Sequence, residues 1–104
     1  MKIINEVKFS IPSLSVNESV ARAVVSSFLI QADPTVEELA DIRTVVSEAV
    51  TNAIVHGYRN SYGNIEVVVR ILENNTIYIK IRDKGCGIAD IEKSNQKQIE
   101  EGRK

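Results

Sequence analysis

The sequence is poor in three features that often reveal a protein's location or chemistry: cysteine, net charge and long apolar segments. Its one cysteine, Cys86, has no second cysteine in residues 1–104 with which to form a disulfide. The sequence around it also lacks the spaced cysteine and histidine residues of a zinc site. A formal net charge of -1 provides no basic field for nucleic acid or for a membrane surface. No apolar run has the length of a transmembrane helix, and the first residues do not resemble a signal peptide. We therefore expect a cytoplasmic protein that contacts neither a membrane nor nucleic acid directly.

The length and the apolar content predict one domain with a modest core. The chain has 104 residues, of which 43% are apolar, and we expect a single domain over residues 1–104. An alternating pattern over residues 2–10 predicts a first strand, and a helix is predicted over residues 17–31 with Asn17 or Ser15 as its N-cap. The apolar residues that mark these two elements are Ile4, Val7, Phe9 and Ile11 in the strand and Val20, Val24, Phe28 and Leu29 in the helix.

A second helix and a hairpin follow. Thr35 is predicted to cap the second helix, with Glu38 as its capping-box partner. This helix is predicted to continue to about Val55 or His56, where a glycine stops it. The hairpin consists of strands at residues 63–72 and 76–82 around a turn at residues 73–75, with Ile65, Val67, Val69 and Ile71 on one face of its first strand.

The second helix carries three polar side chains at successive four-residue steps: Glu48, Asn52 and His56. Residues four apart lie on one helical face, so Glu48 and Asn52 are expected side by side, with His56 one turn further on. The residues around them are small or apolar, which indicates a protein-facing surface where an unpaired Glu or Asn is costly. A metal, a nucleotide or a hydrogen-bond network would account for this pattern, and so would an ordinary polar stripe that faces solvent.

A glycine-rich turn, Asp83-x-Gly85-x-Gly87, directly follows the last predicted strand. Alone it usually marks a turn, because glycine tolerates positive φ and aspartate bonds its own backbone. In this order, with a hairpin between them, the helix motif and the glycine turn are far more specific together than either is alone. Lys84 is interpreted as a solvated turn residue and Cys86 as a variable position between the two glycines.

The two motifs resemble the first two ATP-site boxes of the gyrase, histidine kinase and MutL superfamily. Within it, residues 45–58 and 81–88 are most similar to the anti-sigma F factors of spore-forming bacteria, and residues 17–22 and 33–35 fit the same family. The resemblance extends from residue 5 to about residue 92. It implies the histidine-kinase-like ATPase fold, an α/β (α+β) two-layer sandwich with helices on one face of a mostly antiparallel sheet.

The resemblance also implies roles for individual residues around ATP or ADP and Mg²⁺. Glu48 matches the general base that takes a proton from a serine hydroxyl or from a water. Asn52 matches the magnesium ligand, and Asp83 matches the acceptor for the adenine amino group. The other cofactor-binding residues are Gly85 and Gly87, which let the backbone approach the base, Ile88 and Ile54, which form apolar walls, and His56, which is either near the phosphates or a structural histidine.

The function implied by the resemblance is that of an ATP-dependent protein serine kinase and anti-sigma factor. Such a protein sequesters a sporulation sigma factor as a homodimer, and it phosphorylates a serine of an anti-anti-sigma partner. Arg22 matches a family position that contacts the sigma factor. Two alternatives remain: a non-catalytic nucleotide-dependent protein-binding module, and the ATPase portion of a histidine-kinase-like sensor. The second is disfavoured because no dimerisation helix with a phospho-accepting histidine precedes the domain.

The sequence departs from the family after the second motif. Residues 88–104 are strongly polar, with Ile91 and Ile99 as their main apolar side chains, and we interpret them as a partial or replaced ATP lid. The third glycine-rich box, two further strands and the last helix of the family are not recognisable, which indicates a truncated gene product. Because positioning is most of phosphoryl-transfer catalysis, we expect residues 1–104 to bind nucleotide weakly and to show no measurable serine kinase activity.

Overall fold

The computed structural model describes residues 2–57, 63–83, 87–93 and 99–102, with side chains described for residues 2–56 and 63–83. The elements are β1 (Ile3–Pro12), α1 (Asn17–Leu29), a 3₁₀ turn (Ile30–Ala32), α2 (Val36–Asn52), a π-helical turn (Ala53–Gly57), β2 (Asn64–Leu72), β3 (Thr76–Asp83), β4 (Gly87–Lys93) and β5 (Ile99–Gly102). Within these described residues, no helix is both long enough and apolar enough to cross a membrane.

The strands form one antiparallel sheet whose spatial order, β1-β2-β3-β4-β5, is also their order along the chain. Phe9 of β1 lies opposite Val67 of β2, and Val67 in turn lies opposite Ile81 of β3. Because side chains alternate along a strand, every second residue of these three strands lies on one shared face. Both helices pack on that face. The predicted α/β two-layer sandwich is therefore confirmed.

The hydrophobic core lies between this inner face of the sheet and the two helices. The predicted inner face of β2 is confirmed, since Ile65, Val67, Val69 and Ile71 are all buried. The core residues of the neighbouring elements are Ile77, Ile79 and Ile81 in β3 and Ile42, Val46, Ala49 and Val50 in α2. Full burial of one such aliphatic side chain contributes about 1.5–3 kcal/mol. This layer is therefore the main source of the fold's stability.

The buried stripe of α1 overlaps the one that the sequence predicts only at Leu29. Its buried residues are Ala21, Val25 and Leu29. Val20 is 43% exposed, and Val24 and Phe28 are only half-buried. Both sets of residues recur every four positions, so the helical period alone does not separate them. The buried set begins with an alanine, whose small side chain lets the helix lie close to the sheet.

The start of α1 also differs from the prediction. Its N-cap is Val16, which makes no side-chain cap hydrogen bond, rather than Asn17 or Ser15. Asn17 instead turns back to β1, where its Nδ2 donates to the carbonyl oxygen of Pro12 at 2.9 Å. The side chain of Asn17 therefore holds the start of α1 against the end of β1, and it does not cap the helix.

The start of α2 is as predicted. The backbone N–H of Glu38 donates to Thr35 Oγ1 at 3.1 Å, and the backbone N–H of Thr35 donates to Glu38 Oε1 at 2.8 Å. These reciprocal bonds form a capping box, which satisfies two donors that the helix itself leaves unpaired.

β1 departs from the predicted alternation near its start. Ile4 is 61% exposed. It lies three residues before Val7, so strict alternation already places the two side chains on opposite faces of the sheet. The register with β2 also shifts between Ile3 and Asn5, which is an irregularity at the same place. Further along, Val7 and Phe9 pack against the core as the sequence predicts.

The backbone after β3 contains two strands that are not recognisable in the sequence. β4 pairs with β3, and β5 pairs with β4. The edge of β3 gives a physical reason for this pairing. Without β4, a strand that buries Ile79 and Ile81 would present a row of unpaired backbone N–H and C=O groups. The interpretation of residues 88–104 as a lid stays a prediction.

The outer face of the sheet, which points away from the helices, carries an ionic cluster. Arg70 of β2 donates a hydrogen bond to Glu6 of β1, and its guanidinium carbon lies 5.5 Å from the centre of the Tyr78 ring on β3. Lys8 Nζ lies 3.8 Å from Glu6 Oε1. The hydrogen bond from Arg70 holds the pKa of the Glu6 carboxyl below its ordinary value, although burial acts in the opposite direction. The cluster links the three strands across this face.

Val25→Ala tests which stripe of α1 is buried. We expect it to lower the free energy of unfolding by about 1.5–3 kcal/mol, because it removes two buried carbons and leaves a cavity. Val20→Ala is the matched control, and as an exposed substitution it should stay within about 0.5 kcal/mol of the parent. Urea unfolding followed by circular dichroism measures both. A larger loss for Val20→Ala would show that the sequence-based stripe is the buried one.

Thr35→Ala tests the capping box of α2. Loss of the hydroxyl acceptor should lower the free energy of unfolding by about 1 kcal/mol. Thr35→Ser keeps the acceptor and should restore most of the parent's stability. The same urea titration compares the three proteins, and equal stability of the alanine and serine variants would contradict a role for the hydroxyl.

Candidate functional site

Glu48 and Asn52 lie on the regular part of α2, one turn apart. The buried side of this helix is formed by Ile42, Val46, Ala49 and Val50. Glu48 lies away from that side and is exposed, whereas Asn52 is half-buried. The prediction that both residues share a helical face is confirmed. The prediction that both face protein is wrong for Glu48, because the aliphatic residues already fill the side towards the sheet.

His56 does not continue the α-helical series. α2 ends at Asn52, and the next five residues form the π-helical turn, Ala53–Gly57, so the predicted regular helix is about one turn too long. The wider i→i+5 turn changes the direction of the side chains that follow it. Ala53 and Ile54 pack on the core, while His56 is exposed. The expected column of three polar side chains is therefore reduced to two.

Asp83 is the last residue of β3 and shares the inner face with Ile79 and Ile81. It is only 9% exposed, which is unusual for an aspartate. Both α2 and the π-helical turn contact β3. The helix that carries Glu48 and Asn52 and the strand that ends in a buried carboxylate are therefore direct neighbours.

The rest of the glycine motif is described only in part. Lys84, Gly85 and Cys86 lie outside the described residues. Gly87 opens β4 directly opposite Asp83, and Ile88 follows opposite Arg82, with its side chain outside the described part. Of the two predicted apolar walls, Ile54 is therefore placed against the core and Ile88 is placed by its backbone alone.

A groove between the two helices brings Arg22 of α1 together with Glu48 of α2. Its volume is about 350 Å³, and its lining residues are Arg22, Ala40, Arg43, Thr44, Ser47 and Glu48. Arg22 is a half-buried residue whose Nε lies 3.6 Å from Oε2 of Glu18, one turn earlier in α1. Sequence reasoning singled out Arg22 and Glu48 separately and missed Arg43. Arg43 lies at three- and four-residue steps from Ala40 and Ser47 on the same helix, but this spacing alone does not distinguish it from the other exposed side chains of α2.

The described side chains do not form a preformed metal-binding site. Among residues 2–56 and 63–83, no group of three or more histidine, cysteine, aspartate or glutamate side chains is placed to hold a metal ion. A site built on Asn52 alone would therefore depend on ligands from a bound molecule and from water.

Comparison with known families identifies the domain. A family model described as a histidine kinase-like ATPase domain matches residues 11–104. The chain belongs to this family. The match runs from the end of β1 through β5 and includes α2 and β3, which carry Glu48, Asn52 and Asp83. Membership of an ATPase family implies a nucleotide as the ligand of the domain.

Individual relatives in this ATPase family are also similar to the chain. It is 53% identical over 93 residues to a protein of Bacillus licheniformis named anti-sigma F factor. Proteins of the same name in Bacillus subtilis (strain 168) and Geobacillus stearothermophilus are 52% and 48% identical. Each match covers 88% of this chain and 63% of the relative. The chain thus spans less than two-thirds of the length of these relatives.

Asp83→Asn tests the strand end as part of a nucleotide site. We expect it to weaken ADP binding by about tenfold or more, because a hydrogen bond to a charged acceptor is worth about 1.5–3 kcal/mol. Asp33→Asn is the matched control: Asp33 is exposed and has a left-handed backbone conformation that asparagine also adopts. Isothermal titration calorimetry measures both. Unchanged ADP affinity in Asp83→Asn would remove this residue from the nucleotide site.

Proposed function

We propose that residues 1–104 form an ATP-binding domain of an anti-sigma factor that is also a protein serine kinase. The observation that carries the proposal is the juxtaposition of α2, with Glu48 and Asn52, and the strand that ends in the buried Asp83. The similarity to proteins named anti-sigma F factor supports the choice within the ATPase family.

The residues present fit an adenine nucleotide. The buried carboxylate of Asp83 is an acceptor that matches the amino group of adenine, and it gives selectivity for that base. Gly85 and Gly87 follow it in the sequence and allow the backbone to approach the base, with Ile54 and Ile88 as apolar neighbours. Asn52 supplies a neutral carboxamide oxygen, which holds Mg²⁺ without repelling phosphates. His56, in the π-helical turn that follows Asn52, is assigned to the phosphate end of the site.

When it is bound, the nucleotide supplies the γ-phosphoryl group that is transferred. Glu48 orients the incoming serine hydroxyl and accepts its proton as the hydroxyl oxygen bonds to phosphorus and ADP leaves. Its exposure leaves it accessible to a hydroxyl from another protein. Asn52, one turn away on the same helix, keeps the phosphates next to this carboxylate.

The partners follow from the same proposal. A sporulation sigma factor is the protein that the domain sequesters, with Arg22 on α1 as a contact. An anti-anti-sigma factor supplies the serine. The protein acts as a homodimer in the cytoplasm.

A second candidate function is a nucleotide-dependent binding module without phosphate transfer. The exposure of Glu48 favours it, because a carboxylate in contact with water is a weaker base than one in an apolar site. Both candidates share the nucleotide site and the sigma factor, so the role of Glu48 separates them.

Glu48→Gln distinguishes the two candidates. The amide cannot accept a proton, so phosphate transfer in a full-length version of the protein should fall by about a hundredfold or more, while ADP affinity stays within about twofold. Single-turnover transfer from labelled ATP to an anti-anti-sigma protein measures the rate, and calorimetry measures the affinity.

Glu66→Gln is the control for this experiment, since it makes the same change at an exposed position on the outer face of the sheet. Full transfer by Glu48→Gln would reject Glu48 as the base. A parent chain that binds ADP and the sigma factor but transfers nothing would instead support the non-catalytic module.

A further inference from the structure

The α1–α2 groove has charges of opposite sign on its walls. Arg22 and Arg43 provide two guanidinium groups, and Glu48 provides a carboxylate. Its volume of about 350 Å³ corresponds to several side chains, although it is open to solvent. A ligand that is complementary to this groove must therefore carry negative charge at one position and a hydrogen-bond donor at another.

The two arginines keep hydrogen-bonding capacity for a ligand. The 3.6 Å separation of Arg22 Nε from Glu18 Oε2 is an ion pair without a hydrogen bond, and that oxygen has no hydrogen-bond partner. Arg43 is exposed, and within the described residues it makes no ion pair. Guanidinium groups bind carboxylates through two parallel hydrogen bonds, which a water-exposed lysine cannot reproduce.

We propose that the α1–α2 groove binds a protein segment that carries an acidic side chain near an acceptor hydroxyl, with Arg43 and Arg22 contacting the carboxylate and Glu48 contacting the hydroxyl. This inference rests on the proposed kinase function. It adds Arg43 as a residue that determines which segment is accepted.

Helical geometry sets the spacing that such a segment must have. Arg43 and Glu48 are five residues apart on α2, an axial rise of about 7.5 Å, and they project from different sides of the helix. An extended segment rises about 3.3 Å per residue. The axial rise alone corresponds to about two residues, and the lateral offset of the two side chains, about 140° apart around the helix axis, lengthens the path. The acidic residue therefore lies roughly three or four positions from the hydroxyl.

A protein segment suits this groove better than a polyphosphate does. Glu48 would repel closely spaced negative charges, whereas a neutral hydroxyl donates a hydrogen bond to it. The nucleotide is assigned to the part of α2 that carries Asn52, one turn beyond Glu48, on a helix that also contacts β3. The groove is thus left for the second substrate.

The test uses two fluorescent peptides of twelve residues with one central serine. One carries glutamate at the third and fourth positions on each side of the serine, and the other carries glutamine there. Fluorescence anisotropy with the 104-residue chain and saturating ADP should show the glutamate peptide binding at least fivefold more tightly at low salt. Amide shifts in an NMR titration should map to Arg43, Thr44 and Ser47.

Arg43→Gln should lower the affinity for the glutamate peptide by roughly threefold to fivefold, which removes most of its advantage over the glutamine peptide. Arg82→Gln is the matched control, because Arg82 is exposed on the outer face of the sheet, away from the groove. Arg43→Lys keeps the charge but loses the paired hydrogen bonds, so it should give an intermediate affinity. ADP affinity should stay within about twofold in all three variants.

Equal binding of the two peptides, or equal effects of Arg43→Gln and Arg82→Gln, would overturn the groove assignment. Either result together with normal ADP binding would leave the proposed nucleotide function intact. Failure of the parent chain to bind ADP would count against the proposed function, while the peptide preference and its dependence on Arg43 would still be measured without nucleotide.

Discussion

The packing of α2 against the sheet determines where the functional side chains lie. Ile42, Val46 and Val50 are at most 2% exposed, so the helix has one rotation that buries them together. That rotation directs Glu48 outward and leaves Asn52 at the margin of the core. A shift by one residue, about 100° around the axis, would expose aliphatic surface and bury an unpaired carboxylate, which costs several kcal/mol. The site therefore depends on the same contacts that stabilise the fold.

The features that the sequence predicts well are those that local patterns determine. The capping box of Thr35 and Glu38 and the inner face of β2 both follow from short spacings, and the structure has both. The buried stripe of α1 depends on contacts between distant segments, and the sequence-based set for it is right only in part: Leu29 is buried, whereas Val20 is exposed. In α1, two sets of residues have the same period, and only the approach of the helix to the sheet selects between them.

The candidate site shows the same division. Glu48, Asn52 and Asp83 could be assigned to a helix and a strand end because each lies in a compact motif. The exposure of Glu48 and the end of the α-helix before His56 could not be assigned, since both depend on which side of α2 the core occupies. Arg43 could not be recognised for a related reason: its significance comes from Arg22, which lines the same groove only after the two helices pack together.

In the proposed function, α2 separates two ligands that must react with each other. Glu48 lines the α1–α2 groove, and Asn52 lies one turn further along the same helix, towards β3. The nucleotide and the protein segment would then be positioned by one rigid element, a 17-residue helix with a capped start and a buried aliphatic side. Because the two positions are fixed by one turn of helix, no domain movement is required to bring hydroxyl and phosphate together. Selectivity for the protein substrate and placement of the nucleotide would therefore both depend on how tightly α2 packs on the sheet.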